Sequence, residues 1–236
     1  MRSLASIRSS VMCRLLGSIT NVNTTESIAA LTFDDGPHPV YTPLVLEVLK
    51  RHDAHGTFFL VGKAAQEHKN IVKSIAEAGH AIGNHTWDHV SLPSLSRARR
   101  RRQIKLCQEA IAPFGSPLFR PPWGQQTDYT RLDLLLLGLQ VITWNVAVFD
   151  WLNRSPNWMS EKLIRAVKPG SIVLLHDSIR HSSKFSMLSE KPTFARDNML
   201  HALDIFLKAR RDNMRFVTVP DLLLRGKPQK RHWVRY

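Results

Sequence analysis

Ile28-Ala29-Ala30-Leu31-Thr32-Phe33-Asp34-Asp35-Gly36-Pro37 is an apolar run that stops on two adjacent carboxylates and a Gly-Pro turn. In a flat strand neighbouring side chains point to opposite faces, which would separate Asp34 from Asp35. A chain that bends at the strand end brings both to the rim of one cavity, where one carboxylate can bind a metal and the other handle a proton. By itself, Asp-Asp-Gly at a strand end is most often a solvated turn. Its weight comes from what surrounds it.

Outward from this run, strand and helix patterns alternate. Strands are expected near 28–33, 57–61, 80–84, 117–120, 140–146, 171–175 and 215–219, and helices near 43–52, 63–78, 96–112, 128–138, 158–167 and 197–211. Thr42-Pro43 reads as a cap followed by a proline at the first helical position, and Gly79 and Pro169-Gly170 read as stops. Strands joined by helical crossovers imply a parallel sheet. Asp34, Asp35, His85, Arg120, Asp150 and His176 all fall at or just past carboxyl ends of the expected strands, the face on which α/β barrels build active sites.

His85-Thr86-Trp87-Asp88-His89 spaces two histidines four apart. On a helical turn both imidazoles reach one ion at the distance of about 2.0–2.1 Å that zinc requires. Thr86 stands where a zincin has its general-base glutamate, so a base must come from elsewhere. Asp35 supplies a third, hard ligand. Three protein ligands and an open position make the catalytic kind of metal site.

Three further motifs follow in order: Arg120-Pro121-Pro122-Trp123-Gly124, Asp150-Trp151, and Leu174-Leu175-His176-Asp177. With them the chain resembles the polysaccharide deacetylases, carbohydrate esterase family 4, from about Ser27 to Leu224. The resemblance implies a single distorted (β/α)7 barrel with mostly parallel strands. It also implies a hydrolase that removes N-acetyl groups from the amino sugars of a chitin-like or peptidoglycan-like glycan. Asp35, His85 and His89 would hold a divalent metal, of which zinc suits the ligand type and cobalt or nickel are alternatives. Asp34 would act as base, oriented by Arg120. The backbone N–H of Trp123 would meet the oxyanion, His176 would protonate the departing amine with Asp150 behind it, and Leu174 and Trp151 would wall the slot for the acetyl methyl. Two departures stand out. Trp123 occupies a position commonly Tyr, and the family's Asp-x-x-Asp-Trp is here Ala147-Val148-Phe149-Asp150-Trp151, without its first carboxylate. The alternatives are a deacylase or deformylase of a lipid-linked amino sugar, and a carbohydrate-binding pseudoenzyme.

Composition fits one folded unit: 236 residues, 43% hydrophobic, suffice for a large core. No run approaches the roughly 20 apolar residues of a membrane helix, and Leu132–Val141, broken by Asp133 and Gln140, reads as a buried helix ending at Gly138. Cys13 and Cys107 make no disulfide framework, and Cys107 reads as a free core thiol. The net charge of +14 gathers in Arg97, Arg99–Arg102 and Lys105, and in Arg225, Lys227, Lys230, Arg231 and Arg235. The first block reads as the solvated face of a helix capped by Ser96. Both blocks suit an anionic envelope surface, whereas no interleaved aromatic residues or zinc-finger pattern favour nucleic acid. Residues 1–26 read as an N-terminal extension, disordered or targeting, 27–224 as the catalytic domain and 225–236 as a basic tail. Arg14 breaks the only apolar run of the extension, which makes a poor secretory signal. The expected location is therefore the cytoplasm, with export or envelope association as the alternative.

Overall fold

The computed structural model describes residues 16–180 and 193–232. β1 (Ser18–Asn23) leads into the quoted run, which is β2 (Ile28–Asp34), buried at every position. There follow α1 (Tyr41–Arg51), β3 (Gly56–Leu60), α2 (Gly62–Glu67), α3 (Lys69–Glu77), β4 (Ala81–Asn84), α4 (Arg97–Ala110) and β5 (Gly115–Phe119). The chain continues through α5 (Asp128–Leu136), β6 (Gln140–Val141), β7 (Val146–Ala147), α6 (Pro156–Ala166) and β8 (Ile172–His176). It ends with α7 (Asp197–Arg210), β9 (Arg215–Phe216), α8 (Val219–Leu224) and β10 (Lys227–Arg231). The main sheet runs β6-β5-β4-β3-β2-β8-β7 with β9 attached to β2, all in parallel, curling into a barrel that stays open between β6 and β7.

Period-two alternation decides what faces the barrel interior. Along β2, Leu31 and Phe33 pack outward with Val45, Leu49 and Phe58, while Ile28 and Ala30 pack inward with Phe59, Leu118 and Ile172. The inward register therefore continues through Thr32 to Asp34. Along β8 the same rule puts Val173 and Leu175 in the outer layer and Ile172 inside, so Leu174 and His176 face the interior. Parallel pairing aligns Thr32 with Leu174 and Asp34 with His176, which sets the two ionisable groups side by side at the carboxyl rim.

Several expectations are corrected. The single strand foreseen at 140–146 is split into β6 and β7 at opposite ends of the sheet, because the backbone between them bonds elsewhere: Thr143 N–H to Ile19 O, Asn145 N–H to Ile172 O, and the carbonyls of Ile142 and Thr143 to Arg120. The helix foreseen at 63–78 breaks at His68 into α2 and α3. Thr42 does not cap α1, which begins at Tyr41; its hydroxyl accepts from the His38 N–H and donates to Asp177. Ser96 does cap α4, but three of the arginines beyond it are not simply solvated. Arg97, Arg100 and Arg101 converge on the buried Asp133 of α5 at 2.8–3.1 Å. Helix α5 ends before Gly138 as expected, yet its outer face leaves Leu132, Leu135 and Leu136 exposed.

The expected boundaries after residues 26 and 224 cut through structure. β1 pairs antiparallel with β10, and Ile19 and Val22 are buried against Ile28, Ile142 and Ile172, closing the floor of the barrel. Residues 18–23 thus belong to the domain, because without them the inner faces of β2 and β8 would meet water. The first fifteen residues, with Cys13, lie outside the described residues. Cys107 is a free, buried thiol, as foreseen.

Candidate active site

Asp35 stands one residue past β2 with φ 75°, and this left-handed turn swings its carboxylate to the same cavity as Asp34. Only glycine fits next: a Cβ on Gly36 would lie 2.3 Å from the Asp177 carboxylate. Non-glycine residues at positive φ cost of order 1–3 kcal/mol each and collect where geometry matters more than ease. Among the described residues there are six, and Asp35, Thr86, His89, Trp123 and Phe149 belong to the site or its lip; Asp53 does not.

His85 and His89 are brought together, but not on a helix. They follow β4 in an irregular loop, with Thr86 at φ 67° and His89 at φ 54° doing the bending that a helical turn was expected to do. Nε2 of His85 lies 3.4 Å and Nε2 of His89 3.1 Å from Asp35 Oδ1. The three ligand atoms are buried and within 4.8 Å of one another. His85 Nδ1 is 2.7 Å from the Arg120 carbonyl and donates to it, which leaves Nε2 bare toward Asp35. Asp35 Oδ2 is taken by the Arg180 N–H at 3.0 Å, so Oδ1 is the oxygen left for a ligand. Burial alone would raise the Asp35 carboxyl, but His89 and His85 facing it hold it well below the usual carboxylate range. Burial depresses His89, which keeps its imidazole neutral as a ligand must be. This O/N/N set fits a divalent cation, and the family resemblance asks for one at the same residues.

Asp34 lies on the other side of the cluster. Arg120, fully buried, gives Nη1 to Asp34 Oδ1 at 2.7 Å and to Thr32 Oγ1 at 2.6 Å, and spends its other donors on Ile142 O and Thr143 O. Its guanidinium carbon lies 4.1 Å from the centroid of the Phe59 ring. Asp34 Oδ2 points toward His85 Nε2 at 3.9 Å. Across the rim, Asp150 holds His176 twice, accepting from its backbone N–H at 2.8 Å and from Nδ1 at 2.9 Å, which turns Nε2 to the cavity. Burial pulls His176 down, but the Asp150 carboxylate outweighs it and the imidazole is pushed up to about 9. The Trp123 ring lies tilted against that of His89 with centroids 4.4 Å apart, Trp151 meets His176 edge-on, and Leu174 lies on the inner face two residues before His176.

The ten expected residues therefore lie together at the carboxyl rim, joined by hydrogen bonds, close ion pairs, ring contacts and strand register. Sequence reasoning missed three supports. Arg196 is buried and donates to the Asp150 carbonyl at 2.9 Å, Arg180 anchors Asp35 through its N–H and through Nε to the Asp35 carbonyl, and Asp177 is buried under the Asp35-Gly36 turn. Burial pushes Asp177 up to about 7. Asp177 adjoins a noticed motif and was findable; Arg180 and Arg196 sit in no pattern.

A buried three-ligand cluster with a carboxylate and a histidine pushed up to about 9 beside it has the make-up of a metal-assisted hydrolase site. Residues 21–142 match the model of the family named polysaccharide deacetylase. The chain is 32% identical to a peptidoglycan-N-acetylglucosamine deacetylase of Bacillus cereus over 205 residues, 85% of this chain and 70% of that one. It is 39% identical to a chitooligosaccharide deacetylase of Azorhizobium caulinodans over 168 residues, 69% of this chain and 80% of that one. Among solved structures, the Bc1960 peptidoglycan N-acetylglucosamine deacetylase, in complex with 4-naphthalen-1-yl-N-oxidanyl-benzamide, superposes with a TM-score of 0.80 at 28% identity, covering 94% of this chain and 99% of that one. The chain belongs to the polysaccharide deacetylase family, and its barrel is the family's.

Proposed function

We propose that this protein removes acetyl groups from N-acetylglucosamine residues of a peptidoglycan-like or chitin-like glycan. The observation that carries this reading is the pairing of Asp34 with His176 across β2 and β8, next to the cluster of Asp35, His85 and His89. Amide hydrolysis needs one group to take a proton from water and another to give one to the nitrogen, since an amine expelled as an anion is far too basic. Asp35, His85 and His89 would hold a divalent cation, which when bound would supply Lewis acidity toward the carbonyl and acidify water; zinc suits this O/N/N set, and cobalt or nickel would suit it as well. Asp34, fixed through Oδ1 by Arg120, offers Oδ2 to the water's proton. His176, cationic and tied through Nδ1 to Asp150, offers the proton on Nε2 to the nitrogen. The main-chain N–H of Trp123 faces the carbonyl oxygen as it gains charge, and Trp151 and Leu174 exclude water around the methyl group.

Acetate release from chitooligosaccharides and peptidoglycan fragments tests this. Release from either supports it, while release only from a lipid-linked amino sugar would move the substrate to that alternative. Tight glycan binding without release from any substrate would make the chain a pseudoenzyme.

A second reading concerns the surface. On α5, Tyr129 (76% exposed), Leu132 and Leu136 face solvent, and Leu135 adjoins a groove shared with Leu224, Pro228 and the cation Lys230. We infer that this apolar face, bordered by the basic β10, rests on an anionic envelope surface. Co-sedimentation with phosphatidylglycerol vesicles but not phosphatidylcholine vesicles is expected, and equal or no binding would remove the reading. No helix among the described residues is long and apolar enough to cross a membrane. We keep the cytoplasm as the proposed compartment, with envelope association as its alternative, and fractionation of the host cell decides between them.

A further inference from the structure

Beyond Trp151, whose ring lies beside His176 and walls the proposed methyl slot, runs a row of rings that the reaction itself does not use. Trp151 stands edge-on to His176 with centroids 5.3 Å apart, and Phe149 stands edge-on to Trp151 at the same distance. The row continues onto α6: Lys162 Nζ lies 4.3 Å from the centroid of Phe149 and 4.8 Å from that of Trp158, and the Arg154 guanidinium lies 5.4 Å from the Trp158 centroid. Phe149 and Trp158 are each 42% exposed.

Two features set this strip apart from ordinary surface. Phe149 holds φ 54°, so its backbone bears a left-handed conformation that keeps a large apolar ring in water instead of in the core. Lys162 makes no ion pair among the described residues, and Glu161 before it on the helix is committed to Arg165. Contact with the rings restrains the lysine, and a restrained cation loses less freedom when an anion arrives. Ring surfaces suit the apolar C–H faces of sugars, and cations beside them suit an acid.

Resting on the deacetylase reading, we propose that this strip is a subsite for a carboxylate-bearing sugar neighbouring the one deacetylated. The acidic sugar packs on Phe149 and Trp158, and its carboxylate meets Lys162 and Arg154. The acid is the lactyl ether of a peptidoglycan-type sugar or the carboxylate of a uronic acid. Either source offers the same chemistry.

The test is calorimetric binding of three N-acetylated tetrasaccharides to metal-loaded Asp34→Asn protein: a neutral one, one with lactyl-ether carboxylates and one with uronates. At least one acidic ligand is expected to bind about five- to tenfold tighter than the neutral one, with the preference shrinking in high salt. Lys162→Gln should cut that preference at least in half, the rest being left to Arg154, with a smaller effect on the neutral ligand than on the acidic ones, and Trp158→Ala should weaken acidic and neutral ligands together. Equal affinity for all three ligands, or a Lys162→Gln loss shared equally by the neutral one, overturns the subsite. Acetate release by the wild-type protein is read separately. Release without acidic preference sinks the subsite alone, and Lys162-dependent acidic binding without release from any substrate sinks the deacetylase reading alone.

Discussion

At the residue scale the site divides its labour by what each side chain can spare. Asp34 has one oxygen held by Arg120 and one turned to the cavity, so Asp34→Asn keeps the hydrogen bond but cannot take a proton. Turnover should fall about 10²–10⁴-fold with the metal content, read by elemental analysis, unchanged. A site emptied of metal by this change would reverse the roles of Asp34 and Asp35. As the proposed acid, His176 can act only while protonated, so activity should decline as pH rises through about 9. Asp150→Asn removes the charge that outweighs burial, which lowers the folded-state pKa and shifts the alkaline limb of the pH–rate profile to lower pH. An unmoved limb would mean that another group sets it. That these residues lie together was legible because each ends a strand or turn with a distinctive neighbour, while the roles proposed for them come from the family resemblance. Arg180 and Arg196 were not legible, since a lone arginine gives no sign that its partner lies far off in sequence.

At the element scale, packing overrode local pattern in two places. The arginine block on α4 has the composition of a solvated face, and nothing in its spacing reveals that Asp133 of α5 lies beneath it. Burial alone would raise the Asp133 carboxyl, but Arg100, Arg97 and Arg101 hold it below its usual value. A depressed carboxylate stabilises the fold above its unfolded pKa of about 3.9, and that contribution is lost as pH falls through the folded value. Asp133→Asn should therefore cost about 2 kcal/mol in urea melts at neutral pH, discounted for the partly exposed Arg97 and Arg101, with the deficit narrowing in acid. β1 was hidden because its polar alternation, Ser18-Ile19-Thr20-Asn21-Val22-Asn23, is too weak to claim a strand until β10 and the barrel floor are present. Burying Ile19 and Val22 is worth about 1.5–3 kcal/mol each, a large part of ordinary domain stability. Deleting residues 1–25 should lower the melting temperature by about ten degrees or more, read by circular dichroism.

At the scale of the whole molecule, activity should vanish with chelator and return with zinc, cobalt or nickel. Melting temperature should rise with the ion, because binding to the folded state alone stabilises it. Full activity in protein shown to be free of metal would end the hydrolytic scheme. The alternation of strands and helices foretold the parallel sheet, whose strands β2 and β8 are apolar in both registers, and the family resemblance foretold its closure into a barrel. Its open seam was not foretold, for it depends on where one arginine sends its donors. Arg120 bonds Ile142 O and Thr143 O at that seam and Asp34 within the cavity, so one guanidinium both plugs the wall and anchors the base. A lineage that stopped needing turnover would be free to discard Asp34 or His89, yet discarding Arg120 would open the wall. The arginine would outlive the reaction, and its survival in a descendant would testify to ancestry rather than to catalysis.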